Sequence, residues 1–294
     1  MVAVRVLYGF INPPRLRCNR NSAFQCCAAG AKYSTGGVEL VRFAILASGS
    51  SGNATVVEAT GTAILIDCGL SIRRLDQRAK SIGFDLSQLK ALAVTHEHGD
   101  HIGGAAALAR RYEIPIYMTH GTRIASSLGE ERGLEIREIS PHEPFHIDSL
   151  TIRPSPVPHD AKEPCQFVVE CDDARLGILT DLGSDTRHIR RHFSACCALV
   201  LEFNHDRQLL DESEYPNSVK ARIAGRLGHF SNEQAECLLK TLLSKRLRCV
   251  VAAHISQRAN DDDLVEKILQ SMFDDTDINW TLAHQDRVTH WIRV

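Results

Sequence analysis

From residue 42 onward the chain alternates short apolar runs with longer amphipathic ones. Arg42–Ala47, Thr55–Ala59 and Thr62–Ile66 are rich in aliphatic and β-branched residues and read as strands, the last two forming a hairpin around Thr60-Gly61. A Gly-Ser-rich loop, Ser48–Asn53, separates the first two. Ser71–Ile82 is helix-like, with Arg73, Arg74, Arg78 and Lys80 on its wet side. A short apolar strand, Ala91–Thr95, leads into a His-rich run and then a helix from Ile102 to Tyr112. Further strands are predicted near Ile116–Met118, Leu150–Val157, Gln166–Glu170, Leu176–Thr180, Ala198–Phe203, Arg248–Ala252, Trp280–Ala283 and Arg287–Ile292. Helices are predicted at Thr186–His192, Tyr215–Gly225, Asn232–Leu243 and Leu264–Phe273. This alternation without a linker-like stretch predicts one α/β domain over residues 41–294.

The first forty residues break the pattern. They carry Arg5, Arg15, Arg17, Arg20 and Lys32, no acidic residue before Glu39, and a Pro13-Pro14 interruption. They lack the amphipathic period of a transit peptide and the apolar stretch of a secretory signal. Residues 1–40 therefore read as a disordered tail, or as a start placed too far upstream.

Composition narrows the class. Hydrophobic residues make up 44% of the 294 and charged residues 24%, ordinary for a globular protein. The net charge of −2 argues against a protein that coats nucleic acid nonspecifically, though a local basic groove stays open. No apolar run approaches the roughly 20 residues that span a bilayer, so no membrane partner is expected. Ten cysteines without a CxxC pair, several inside apolar runs, read as reduced side chains of a cytoplasmic protein.

The candidate chemistry lies where the apolar runs end. Ala91–Thr95 ends in His96; Ile152–Pro158 runs into His159; Leu176–Thr180 ends in Asp181. Leu199–Phe203 contains Glu202 and is followed by Asn204 and His205, and Arg248–Ala253 ends in His254. Titratable residues at the ends of buried strands gather at one rim of a sheet, where α/β proteins place their sites. In an extended segment His96 and His98 point the same way and can grip one ion; Gly99 permits a sharp turn that brings Asp100 and His101 to a helix start. Three histidines and an aspartate in six residues suit zinc, manganese or iron. The pattern is not the HExxH of zinc proteases.

The run THEHGDHIGG at 95–104 resembles the HxHxDH signature of the metallo-β-lactamase fold. That resemblance implies a four-layer αββα sandwich (α/β, or α+β in some schemes) with two divalent metal ions at the sheet edges. The chain is more specifically similar to the exonuclease-like YycJ/WalJ branch. The shared elements are ASGSSGNA at 47–54, LIDCGLS at 65–71, HDAKEP at 159–164, TDLG at 180–183, Glu202 with Asn204-His205-Asp206, GHFSN at 228–232 and AHIS at 253–256. The resemblance implies that His96, His98 and His159 hold one metal and Asp100, His101 and His254 the other. Asp181 would bridge both, and Asp67 would support them from behind. Zinc or manganese would be the resident ions, with iron an alternative.

The function implied by this resemblance is that of a phosphodiesterase, foremost a nuclease of the DNA exonuclease kind, using a metal-bridging hydroxide. Asp100 would orient the hydroxide's proton. His229, in a setting similar to that of tRNA 3′-processing ribonucleases, would protonate the leaving oxygen with Glu202 as its partner; Ser231 and Gln234 also spell a helix capping box. Ser48, Ser50, Ser51 and Asn53 would receive phosphate oxygens, Asn204 and His205 would line the pocket, and two basic clusters (Arg187/Arg190/Arg191 and Lys220/Arg222/Arg226) would track a nucleic-acid backbone. Nucleic acid is the expected partner. The alternative is a small-molecule metallohydrolase acting on a cyclic phosphodiester, thioester or lactone. The sequence leaves the oligomeric state open, a homodimer included.

Overall fold

A computed structural model describes residues 41–294, so the expectation for residues 1–40 lies outside the described residues. Six strands come first: β1 (Arg42–Ala47), β2 (Ala54–Ala59), β3 (Thr62–Ile66), β4 (Leu89–Ala93), β5 (Ile116–Thr119) and β6 (Ile136–Ile139). Seven more come after them: β7 (Phe145–Ile147), β8 (Leu150–Pro156), β9 (Cys165–Cys171), β10 (Ala174–Leu179), β11 (Ala198–Glu202), β12 (Cys249–Ala253) and β13 (Asn279–Leu282). A last short strand, β14 (Ile292–Arg293), returns to the edge of β1. The two seven-stranded sheets run β14-β1-β2-β3-β4-β5-β6 and β13-β12-β11-β10-β9-β8-β7. Each begins antiparallel and turns parallel where helices intervene. β3 to β6 pair parallel in the first sheet, and β10 to β13 in the second.

Strand alternation builds the layers. Phe43 and Ile45 of β1 face the other sheet, together with Val57, Ile64, Phe167, Val169, Ile178, Val200 and Val251. Ala44 and Leu46 face the opposite way, toward α1 (Ile72–Ser81) and, further along, α3 (Ala105–Tyr112). On the second sheet, Leu199, Leu201 and Val250 pack outward with α5 (Arg187–His192), α8 (Asn232–Leu242) and α9 (Asp262–Phe273). The result is the αββα order, with one apolar layer between the sheets and one outside each. Each buried Phe or Leu in these layers contributes about 1.5–3 kcal/mol.

The remaining helices are short: α2 (Gly99–Ile102), α4 (His120–Ala125), α6 (Arg207–Glu212) and α7 (Asn217–Ile223). The helix expected from Ile102 to Tyr112 starts instead at Gly99 and breaks at Gly103-Gly104. A side chain at Gly104 would sit 2.0 Å from the Leu70 carbonyl oxygen, so the break lets this backbone press against residues 68–70. The strand expected at Arg287–Ile292 shrinks to Ile292–Arg293, because Thr289 bonds to Ile45 through both backbone and hydroxyl. β6, β7, α4 and α6 are too short to leave a period in the sequence. Among the described residues all seven cysteines are free thiols; Cys237 is exposed and Cys197 half-buried, whereas the other five are buried. No helix among the described residues is long and apolar enough to cross a membrane.

Candidate metal centre and active site

Five strand ends converge on one rim. β4 delivers Thr95 and His96, β8 His159, β10 Asp181, β11 Glu202 and β12 His254. Asp67 follows β3. Asp67, Asp181 and His254 all adopt left-handed backbone, with φ of 59°, 52° and 54°. Non-glycine residues avoid this region, and strain of that kind concentrates at functional sites. Here it turns each chain sharply off its strand, so that the side chain reaches the rim.

Two groups of donors form there. In the first, His98 Nδ1 lies 3.0 Å from His96 Nε2 and 3.3 Å from His159 Nε2. Their other nitrogens are engaged, His96 Nδ1 with the Thr95 hydroxyl at 2.9 Å and His159 Nδ1 with the Gly228 carbonyl at 3.1 Å. In the second, Asp100 Oδ2 lies 3.4 Å from His101 Nε2 and 3.7 Å from His254 Nε2. Asp67 accepts from His101 Nδ1 at 2.8 Å and from the Thr95 backbone and hydroxyl, which leaves His101 Nε2 turned to the rim. Asp181 stands between the groups. Its Oδ2 is 3.3 Å from His101 Nε2, and its Oδ1 is 3.7 Å from His254 Nε2 and 3.9 Å from His159 Nε2.

The chemistry of this donor set fits cations. His96, His98 and His159 crowd three imidazole nitrogens together, and Asp100, His101 and His254 form a second set able to hold an ion. Asp181 Oδ2 and His254 Nε2 are buried with no hydrogen-bond partner, which is costly unless something charged meets them. The electrostatics agree. Burial opposes charge on Asp181, yet His254 and His101 outweigh it and hold the carboxyl ionised. Burial likewise opposes ionisation of Asp100, and its contacts with His101 and His254 overrule it. Conversely, burial disfavours the charged form of His254, but Asp181, Asp100 and Glu202 push its pKa up to about 10. The carboxylates thus create a negative potential that protons or metal ions can satisfy.

Glu202 organises the back of the site. It is fully buried and accepts five hydrogen bonds. Its Oε1 takes His229 Nδ1 and His254 Nδ1, both at 2.9 Å, and the Asp181 backbone at 3.2 Å. Its Oε2 takes the Leu182 and Phe230 backbone N–H groups at 2.9 and 3.0 Å. Burial raises its pKa, but the two histidines more than reverse this, leaving it at about 2. His229 is held with its other nitrogen free. The capping box of α8 fixes the chain just beyond it, with Ser231 N–H bonded to Gln234 Oε1 at 3.0 Å.

A cavity of about 390 Å³ opens over these residues, lined by His98, Asp100, Asp181, His229 and His254 and by Tyr215, Val219, Arg222 and Ile223. Ser50 also lines it, whereas the rest of the Ser48–Asn53 loop does structural work. Ser48 Oγ accepts the His254 backbone N–H at 2.7 Å, Gln285 binds the Ser51 N–H and the Gly52 carbonyl, and Asn53 Nδ2 donates to Asp100 Oδ2 at 3.1 Å. Asn204 and His205 are not among the residues that line this cavity. Asn204 is buried against the His254 carbonyl at 3.0 Å, and His205 is buried beside Ser231, its backbone bridging to the start of α8. Of the two arginine clusters, only Arg222 reaches the cavity. Sequence reasoning missed Thr95, Asp160, Tyr215 and Gln285. Thr95 and Asp160 were visible in THEHGDHIGG and HDAKEP, and the other two gave no local signal.

The fold and the site define a metallohydrolase, and residues 47–254 match the model of the metallo-β-lactamase superfamily; the chain belongs to that family. It is 28% identical over 242 residues to exodeoxyribonuclease YycJ of Bacillus anthracis, covering 80% of this chain and 90% of that protein. It is 30% identical over 244 residues to exodeoxyribonuclease WalJ of Streptococcus pneumoniae, covering 81% and 90%. Among solved structures it is similar to the metallo-β-lactamase fold protein YhfI of Bacillus subtilis, with a TM-score of 0.64 at 13% identity, covering 85% of this chain and 99% of that one.

Proposed function

We propose that this hydrolase is a two-metal phosphodiesterase acting on nucleic acid, foremost a DNA exonuclease. The observation that carries the reading is His229, which lines the cavity and whose Nδ1 is bound to the buried Glu202 at 2.9 Å and lies 3.7 Å from Asp181 Oδ1. Cleaving a phosphodiester requires a proton for the leaving oxygen, and a histidine fixed through one nitrogen presents the other as that donor. The exodeoxyribonuclease names of two relatives favour the same substrate class.

In this reading His96, His98 and His159 would hold one divalent ion and Asp100, His101 and His254 a second, with Asp181 shared between the two donor groups. Such ions would supply a nucleophile at neutral pH and draw charge from the phosphoryl oxygens. The chain's own residues do the rest. Asp67 and the Gly228 carbonyl aim His101 and His159. Asn53 holds Asp100, which would orient the proton of the attacking hydroxide. Glu202 aims both His254 and His229; being fully buried, it is a positioning residue that does not touch substrate.

A cavity of about 390 Å³ and a net charge of −2 give the small-molecule reading its own support. Metal-loaded wild type and His96→Ala, assayed on bis(4-nitrophenyl) phosphate, a thioester, and labelled single- and double-stranded DNA, separate the two. DNA shortened from an end by wild type alone is expected. Thioester turnover with inert DNA would replace the nuclease reading.

A further inference from the structure

α7 is the one α-helix among the described residues that buries none of its residues. It nevertheless has an apolar face. Tyr215, just before the helix, with Val219 and Ile223 at four-residue spacing, lines the same cavity as the histidines and aspartates. Leu227, 52% exposed, comes next on the same segment. The helix is tethered by Arg222, which pairs with Asp160 and itself lines the cavity. Asp160 Oδ1 lies 3.5 Å from His159 Nε2 and 3.8 Å from His98 Nε2, so the tether ends at the candidate metal ligands. The Arg258 guanidinium sits 5.6 Å from the Tyr215 ring centroid and braces it from the loop after β12.

One cavity thus has a wall that, with cations in its donor groups, suits an anionic reacting group and a wall that is apolar, aromatic and edged by a guanidinium. An occupant that satisfies both is flat and apolar at one end and carries phosphate at the other. We infer that the α7 face is the subsite for the nucleobase of the nucleotide being released, stacked on Tyr215 and packed against Val219 and Ile223, with Arg222 turning from Asp160 to the adjoining phosphate. The inference rests on the phosphodiesterase reading and deepens it. Stacking serves any base because each has a π face, so the subsite would grip strand ends with little sequence preference.

The test compares wild type, Tyr215→Ala and Tyr215→Phe, metal-loaded, on an oligonucleotide with natural ends and on one with abasic residues at both ends. On natural ends Tyr215→Ala is expected to lose about tenfold or more in kcat/KM, chiefly through KM, and Tyr215→Phe to recover most of it. On abasic ends the wild type should fall to the level of Tyr215→Ala. An equal loss on both substrates, or a lowered melting midpoint in Tyr215→Ala, would make the face a structural cover and overturn the inference while the phosphodiesterase reading stands. A wild type inert on every nucleic acid removes both.

Discussion

The two helices on either side of His229 are built on opposite plans. α8, just after it, buries Ala235, Leu238, Leu239 and Leu242 against the second sheet, an i, i+3, i+4, i+7 stripe, and starts with a capping box. α7, just before it, buries nothing and turns its apolar residues toward the cavity. The same residue types therefore do different work. In α8 they fix the position of a polar side chain whose aim must be kept. In α7 they remain available to an incoming molecule, and the helix is held by an exposed ion pair of the kind usually worth about 0–1 kcal/mol. Rigidity sits behind the reacting groups, and adaptability in front of them.

The sharpest test of this contrast is His229 itself, which lies between the helices. His229→Ala should lower kcat on DNA by about 10²–10⁴-fold and much less on bis(4-nitrophenyl) phosphate, whose leaving group needs no proton. Equal losses on both would place His229 in folding or binding rather than proton transfer. Next in size, Leu239→Ala in α8 should cost about 2–5 kcal/mol in urea denaturation, whereas Ile223→Ala in α7 should stay within about 0.5 kcal/mol and raise KM instead. The reverse order of stabilities would break the comparison. Smallest is Ser231→Ala, which removes the α8 cap and should cost about 1 kcal/mol, with a modest fall in kcat as His229 loosens. A changed stability with kcat untouched would separate the cap from the aim of His229.

Much of this site could be read along the chain because its ingredients are local or periodic. His96, His98, Asp100 and His101 are neighbours in sequence, and Asp181 and His254 come just after apolar strands that pair parallel with β11, which carries both to one rim; His159 reaches it from β8, an antiparallel strand. The Ser48–Asn53 loop shows the limit of that logic. Its composition suggests a phosphate cradle; in the fold Gln285, more than two hundred residues away, takes the Ser51 N–H and the Gly52 carbonyl, Asn53 binds Asp100, and Ser50 is left lining the cavity. Nothing near residue 50 could announce a partner from the far end of the chain.

By itself, then, the sequence determined the alternation of strands and helices and the titratable residues at the strand ends, since these arise from side-chain period, while the layers and the ligand set were legible through its family resemblance. Tertiary structure alone decided which imidazole nitrogen faces the rim, because Asp67, Thr95, Gly228 and Glu202 reach those rings only after the strands have paired. It also decided that Glu202 serves two histidines at once, and that α7 spends its apolar face on the cavity instead of the core. Contacts between distant segments are set by packing and desolvation across the whole domain, and a local pattern carries no record of them.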